Sequence, residues 1–208
     1  MKTLLYDESP VIGAVATCII PVLIYKKYTH ATIIACIILV FLLFFYRHYP
    51  CDITASNNQI ICPADGRVMG IIEKDGNFVI CIFLSPFNIH TQIYPVNGTV
   101  IDRKYDTTGQ FALAMHINKS DNNEKKIHRI KMDSVEDRTV IVTQIAGFLP
   151  RRIASSDEVP MKVKAGDYLG IIKFGSRVDV SVPMKDFTLS VKSDDRVRIG
   201  DLLGQYTS

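Results

Sequence analysis

Two apolar runs, Val11 to Tyr25 and Ala31 to Tyr46, fill most of the first quarter of the chain and are separated by the polar stretch KKYTH. Each is about 15 residues, short of the roughly 20 that a straight helix needs to cross a bilayer core. The pattern predicts a helical hairpin over residues 1–50 that dips into one leaflet of a membrane. A cleaved secretory signal fits poorly, because Asp7 and Glu8 precede the first run and no small-x-small site follows it. Lys26 and Lys27 in the turn are offset by Lys2, Arg47 and His48 at the ends, so charge bias sets no orientation for a spanning pair. A shallow hairpin leaves both ends, and the rest of the chain, on the cytoplasmic face of the cell membrane. The soluble alternative is a helix pair buried within a globule.

From Cys51 the period changes. Short runs of strand character follow one another between turn signals: GRVMGIIE, NFVICIFL, GTVIDRKYD, QFALAMHIN, TVIVTQIAG, YLGIIKF, VDVSVP and FTLSVK. Sustained 3.6-residue periodicity is scarce, so residues 51–208 are predicted to form a mainly β domain. VKAGDYLGII (163–172) and VRIGDLLGQY (197–206) repeat a Gly-Asp turn between strands, and PADGRV and PVNGTV repeat another. Such turns resemble those of the barrel-sandwich hybrid of biotinyl and lipoyl carriers. NKSDNNEKK (118–126) reads as a solvated excursion or a lid.

Composition narrows the chemistry. The 208 residues are 48% hydrophobic and 22% charged, with a formal net charge of +3. That balance, with no basic run interleaved with aromatics, gives no footprint for nucleic acid. Cysteines 18, 36, 51, 62 and 81 are odd in number and lack CxxC or Cys/His spacing. They argue against a disulfide scaffold and against a metal site, and suit a reducing compartment.

Three polar positions stand out. Asp65 lies in the Pro-Ala-Asp-Gly turn of CPADGRV, which alone is an everyday turn. His90 follows an apolar strand and a Ser-Pro turn in IFLSPFNIHTQIYPVNG, where a lone histidine is most simply a hydrogen-bonded, half-buried residue. Gly175-Ser176 interrupts two strands in GIIKFGSRVDVSVP, a place suited to a hairpin turn or bulge. Together, a carboxylate, an imidazole and a hydroxyl are the parts that activate a weak nucleophile. A serine hydrolase fits badly, since no Gly-x-Ser-x-Gly elbow leads into a helix.

PADGRV, IFLSPFNIHTQIYPVNG, QIAGFLPRRI and LGIIKFGSRVDVSVP occur in an order that resembles the phosphatidylserine decarboxylase proenzyme family, in its short membrane-hairpin branch that includes archaetidylserine decarboxylases. The similarity spans about residues 40 to 185, with FFYRHYP resembling that family's FFRDP segment. The resemblance implies that the Gly175-Ser176 bond cleaves itself, giving a β chain (1–175) and an α chain (176–208) whose first residue, Ser176, becomes a pyruvoyl group. That covalent cofactor accepts the electron pair left when a serine phospholipid loses CO₂. His90 is implied as the base of maturation and the later proton donor, with Asp65 holding its tautomer. Many relatives carry a second histidine three residues on, where this chain has Ile93, so His90 has both tasks. NNEKK resembles the branch's NER segment, with Lys125 in place of arginine. Arg151 and Arg152 match an arginine pair, follow Pro150 where alanine is usual, and are candidates for gripping the lipid phosphate. A homodimer is a family expectation.

A different class remains open. Met161-Lys162-Val163 is close to a biotin-accepting Met-Lys-Met, which would make the chain a membrane-anchored carrier or adaptor without catalysis. The Gly-Asp turn follows at once and leaves no room for a hairpin tip, so Lys162 is expected to be an exposed strand residue.

Overall fold

The computed structural model describes residues 13–47, 53–107, 120, 122–133, 138–147, 153–172 and 176–207. The chain divides into two compact units, Met1–Tyr49 and Pro50–Ser208.

In the first unit a π-helical stretch, Val15–Ile19, runs into α1 (Ile20–Tyr25), and α2 follows at Thr29–Phe45. The Ile20 N–H reaches back five residues to Val15 O, immediately before Pro21, which has no N–H to give. The break falls at Lys26–Tyr28, where Lys27 takes a positive φ of 58°. Thr17 and Thr32 satisfy their hydroxyls within the helices, donating to Gly13 O and Tyr28 O. Apolar side chains line the outside: Val22, Ile37 and Val40 are each more than half exposed. At 1.5 Å per residue the 17 residues of α2 measure about 25 Å. Among the described residues no helix is long and apolar enough to cross a membrane.

The second unit is mainly β, as the alternating pattern predicts. Its strands are β1 (Gln59–Ile61), β2 (Gly66–Lys74), β3 (Asn77–Leu84), β4 (Thr91–Ile93), β5 (Gly98–Asp106), β6 (Lys125–Met132), β7 (Thr139–Ile145), β8 (Ile153–Ser155), β9 (Met161–Val163), β10 (Tyr168–Ile172), β11 (Ser176–Pro183), β12 (Phe187–Leu189), β13 (Arg196–Val197) and β14 (Leu202–Tyr206). An eight-stranded sheet has the order β13-β2-β3-β11-β7-β6-β5-β9, and two three-stranded sheets have the orders β1-β14-β12 and β4-β10-β8. Every pairing is antiparallel. Val178, Val180 and Val182 of β11 lie on one face with Ile80, Ile82 and Leu84 of β3 and Val140 and Val142 of β7, all fully buried in the main core. Burial of such side chains contributes about 1.5–3 kcal/mol each.

The repeated turns organise this unit. Cys62-Pro63-Ala64-Asp65-Gly66 and Tyr94-Pro95-Val96-Asn97-Gly98 are used alike. Cys62 N–H bonds to Asp201 O and Gly200 N–H to Cys62 O, while Tyr94 N–H bonds to Asp167 O and Gly166 N–H to Tyr94 O. The two halves also cross, through Ile61 N–H to Pro95 O and Ile93 N–H to Pro63 O. Gly166 and Gly200 have φ of +94° and +91°, which a side chain would strain. Each turn is closed by its aspartate: Asp167 Oδ2 accepts from Lys164 N–H and Asp201 Oδ2 from Arg198 N–H. Register shifts fall at matching places, after Val68 and after Val100.

Two sequence expectations differ in detail. The described part of NKSDNNEKK (118–126) is not a solvated excursion: Ser120, Asn123 and Glu124 are buried, Asn123 Nδ2 donates to Ala146 O (2.8 Å), and Lys125 and Lys126 begin β6. Its polar composition serves internal hydrogen bonds. QFALAMHIN (110–118) lies outside the described residues.

Candidate active site

Two connections link the eight-stranded sheet to the sheet of β4 and β10. One runs from Leu84 at the end of β3 to Thr91 at the start of β4; the other joins Ile172 at the end of β10 to Ser176 at the start of β11. Ser176 pairs with Leu84 on one side of this seam. On the other, Ile171 pairs with Thr91 and Ile172 N–H reaches His90 O at 3.4 Å. Antiparallel pairing therefore brings the segment that carries His90 and the start of β11 at Ser176 together, although they are far apart in sequence.

Alternation along β11 sets which way Ser176 faces. It shares parity with Val178, Val180 and Val182, so its side chain points to the inner, core face. Ser176 is fully buried, and its Oγ has no hydrogen-bond partner among the described residues. A buried hydroxyl without a partner is costly and marks a strained or functional place. Gly175 lies outside the described residues, as do Arg151 and Arg152.

His90 is also fully buried. Its Nδ1 lies 2.9 Å from Asn88 O. A carbonyl can only accept, so the contact places the proton on Nδ1 and the basic lone pair of the neutral ring on Nε2. The turn that supplies Asn88 is built from its own side chain: Ser85 N–H donates to Asn88 Oδ1 (2.9 Å), and Asn88 N–H returns to Ser85 O. Asn88 thus fixes the His90 tautomer, a role the sequence did not disclose.

Asp65 is half-buried and accepts from Ile199 N–H through Oδ1 at 2.9 Å. In the other half of the repeat Asn97 Oδ1 accepts from Ala165 N–H at the same 2.9 Å. Holding the turn therefore requires only a side-chain oxygen, and the negative charge of Asp65 is surplus to it. The Asp65 segment runs beside the His90 segment through the bond from Ile93 N–H to Pro63 O.

A chain of buried amides continues inward from His90. Gln92 Nε2 donates to His90 O, Gln144 Nε2 to Gln92 Oε1 (2.8 Å), and His128 Nε2 to Gln144 Oε1 (2.9 Å). All four residues are fully buried. The backbone carbonyl at one end can only accept, so it dictates the direction of every bond, including a neutral His128 protonated on Nε2. Burial pushes the His128 pKa down to about 4, helped by Arg103 and Lys126 and opposed by the Gln144 bond and Asp157. The one sequence signal for this chain is an amide at an inward position: Gln144 follows Val140 and Val142 on the core face of β7.

Other candidate chemistry is accounted for structurally. Burial raises the Cys62 thiol far above its usual range, which keeps it protonated and unreactive. Lys162 is an exposed residue in the middle of β9, paired with Thr99 and bonded to Asp133. A biotinyl lysine needs a protruding hairpin tip, and a mid-strand position does not offer one. Among the described residues no cluster of three or more histidine, cysteine or acidic side chains is placed to hold a metal ion.

The phosphatidylserine decarboxylase family profile matches residues 39–205. A phosphatidylserine decarboxylase proenzyme of Amoebophilus asiaticus is 35% identical over 164 residues, covering 74% of this chain and 71% of the relative. One of Chlorobium phaeobacteroides is 33% identical over 81% of each chain, and one of Cytophaga hutchinsonii 37% identical over 73% of this chain and 71% of its own. No solved structure matches the chain. A match across most of the β unit, including the segments that carry His90 and Ser176, means that this chain belongs to the phosphatidylserine decarboxylase family and is a carboxy-lyase.

Proposed function

We propose that the chain is a self-processing proenzyme that cleaves Gly175-Ser176, converts Ser176 to a pyruvoyl group, and decarboxylates a serine phospholipid, phosphatidylserine or archaetidylserine, to its ethanolamine counterpart. The observation that carries this reading is the buried Ser176 Oγ on the inner face of β11, without a hydrogen-bond partner among the described residues, beside the segment that carries a His90 whose Nε2 holds the basic lone pair.

In maturation His90 takes the Ser176 proton, and Oγ adds to the Gly175 carbonyl. The acyl group moves from nitrogen to oxygen. Elimination then frees the Gly175 carboxylate and leaves a dehydroalanine, and water replaces its nitrogen to release ammonia. Asp65 supplies the carboxylate that stabilises His90 in its protonated state. Once formed, the pyruvoyl group supplies the electron sink that ordinary side chains lack. His90 then returns a proton to the substrate carbon, while burial of the site keeps water from competing. Arg151 and Arg152 are assigned to the lipid phosphate.

The exposed apolar sides of α1 and α2 support a membrane-dipping hairpin, with the β unit on the cytoplasmic face of the cell membrane, where the acyl chains need not leave the bilayer. The crossed, repeated turns support a barrel-sandwich-like core, and a homodimer is the proposed assembly.

Intact-mass analysis of purified protein tests this reading. The expected result is a small chain beginning at residue 176 with a keto-bearing, blocked end that cyanoborohydride links to the lipid amine. Ser176→Ala should remain one inactive chain, and His90→Ala should mature at least about 100-fold more slowly. Asp65→Asn should keep its turn, as Asn97 does, yet mature slowly. A single unmodified parental chain, or processing in Ser176→Ala, would overturn the reading.

A further inference from the structure

Ser176 and Arg177 are neighbours that face opposite sides of β11. Ser176 looks into the core. Arg177 looks outward and is still only 1% exposed, which makes it the largest of the fully buried side chains among the described residues. Its Nη1 donates to Ser120 Oγ at 2.7 Å and its Nη2 to Asp179 Oδ2 at 2.8 Å. Burying a guanidinium is unfavourable compared with an apolar residue of similar size, even when it is paired, so such pairs serve position better than stability. The two bonds differ in what they can hold. Asp179 lies two residues along the same strand and orients the guanidinium; Ser120 precedes β6 and ties β11 to a separate segment.

Register explains why a tie is needed here. At the start of β11, Ser176 is paired with Leu84 on the β3 side, whereas the β7 ladder begins one residue later, with Arg177 opposite Ile145. Cleavage of the Gly175-Ser176 bond turns this point into a chain end, and strand ends fray. A slip of one residue would turn residue 176 from the core face to the outer face and remove it from His90.

We infer that Arg177, held by Ser120 and oriented by Asp179, anchors the new amino-terminal end of the α chain in register and so keeps residue 176 facing the site. Arg177 is a positioning residue. The inference rests on the self-cleavage reading, because in an intact chain the covalent link to Gly175 would do the same work.

Arg177 substitutions risk the fold, so Ser120→Ala is the informative variant, made both in the self-cleaving chain and in the uncleaved Ser176→Ala chain. Hydrogen exchange at residues 177–180 and steady-state turnover of a serine phospholipid in mixed micelles are measured. In the mature protein Ser120→Ala should speed exchange about tenfold, as expected for one lost buried hydrogen bond. It should also lower kcat severalfold with little change in KM. In the Ser176→Ala background exchange should be unaltered, and Asp179→Asn should repeat the pattern more weakly. Equal acceleration in both backgrounds, or none in either, would overturn the anchor alone. A parental chain that never cleaves would overturn the self-cleavage reading and the anchor with it.

Discussion

His90 and His128 show how a neighbour decides what a buried imidazole does. Both rings are fully buried, but His90 meets a backbone carbonyl at Nδ1, whereas His128 ends a chain of amides near Arg103 and Lys126. The depressed His128 pKa has a consequence for stability. An unfolded histidine titrates near 6.5 and this one near 4 when folded, so the unfolded chain takes up the extra proton between those values. The contribution is fully present above about pH 6.5 and is lost as pH falls toward 4, by up to about 3 kcal/mol. His128→Gln keeps a donor for Gln144 but cannot titrate. Urea unfolding at pH 7 and pH 4.5 should show a smaller acid loss in this variant than in the parent; equal losses would place the acid sensitivity elsewhere. The sequence singled out His90, Asp65 and Ser176 as candidates because each sits beside a turn in a recognisable phrase. Asn88, Gln92 and Gln144 were not, because an amide has no signature until its partner is known.

β6 shows what elements add. Its sequence, KKIHRIKM, has no clean apolar alternation because Lys126 and His128 take inward positions beside Ile130 and Met132. Pattern reading therefore missed it, although β3 and β5 were predicted to the residue. Lys126 is tolerated inside because its amine donates to Ser155 O and Ser156 O and pairs with Asp157. At the other end of this strand pair lies Gly98, opposite Met132, and an added methyl would run into the Lys131 carbonyl. Gly66, its counterpart in the repeat, meets the Phe83 carbonyl in the same way. Overpacking against backbone leaves nothing flexible to yield, so Gly98→Ala should destabilise by about 2–3 kcal/mol. Thermal unfolding of the variant tests this, and an unchanged midpoint would show that the strand pair can spread.

At the scale of the molecule, the proposed α chain is not an appendage. β11 lies in the middle of the eight-stranded sheet between β3 and β7, and β14 lies between β1 and β12. The two chains should therefore co-purify after cleavage and separate only on unfolding, as native and denaturing size-exclusion chromatography will show; release of α under native conditions would contradict the pairing. The long strands β2, β3, β5, β7 and β11, the mainly β class, the apolar amino-terminal runs and the family resemblance were all determined by the sequence, because local conformational preference and alternation are written residue by residue. Which strands flank Ser176, which amides link His90 to His128 and which hydroxyl holds Arg177 were decided only by tertiary structure. Each depends on pairing between segments far apart in the chain, and only the folded backbone brings those segments into register.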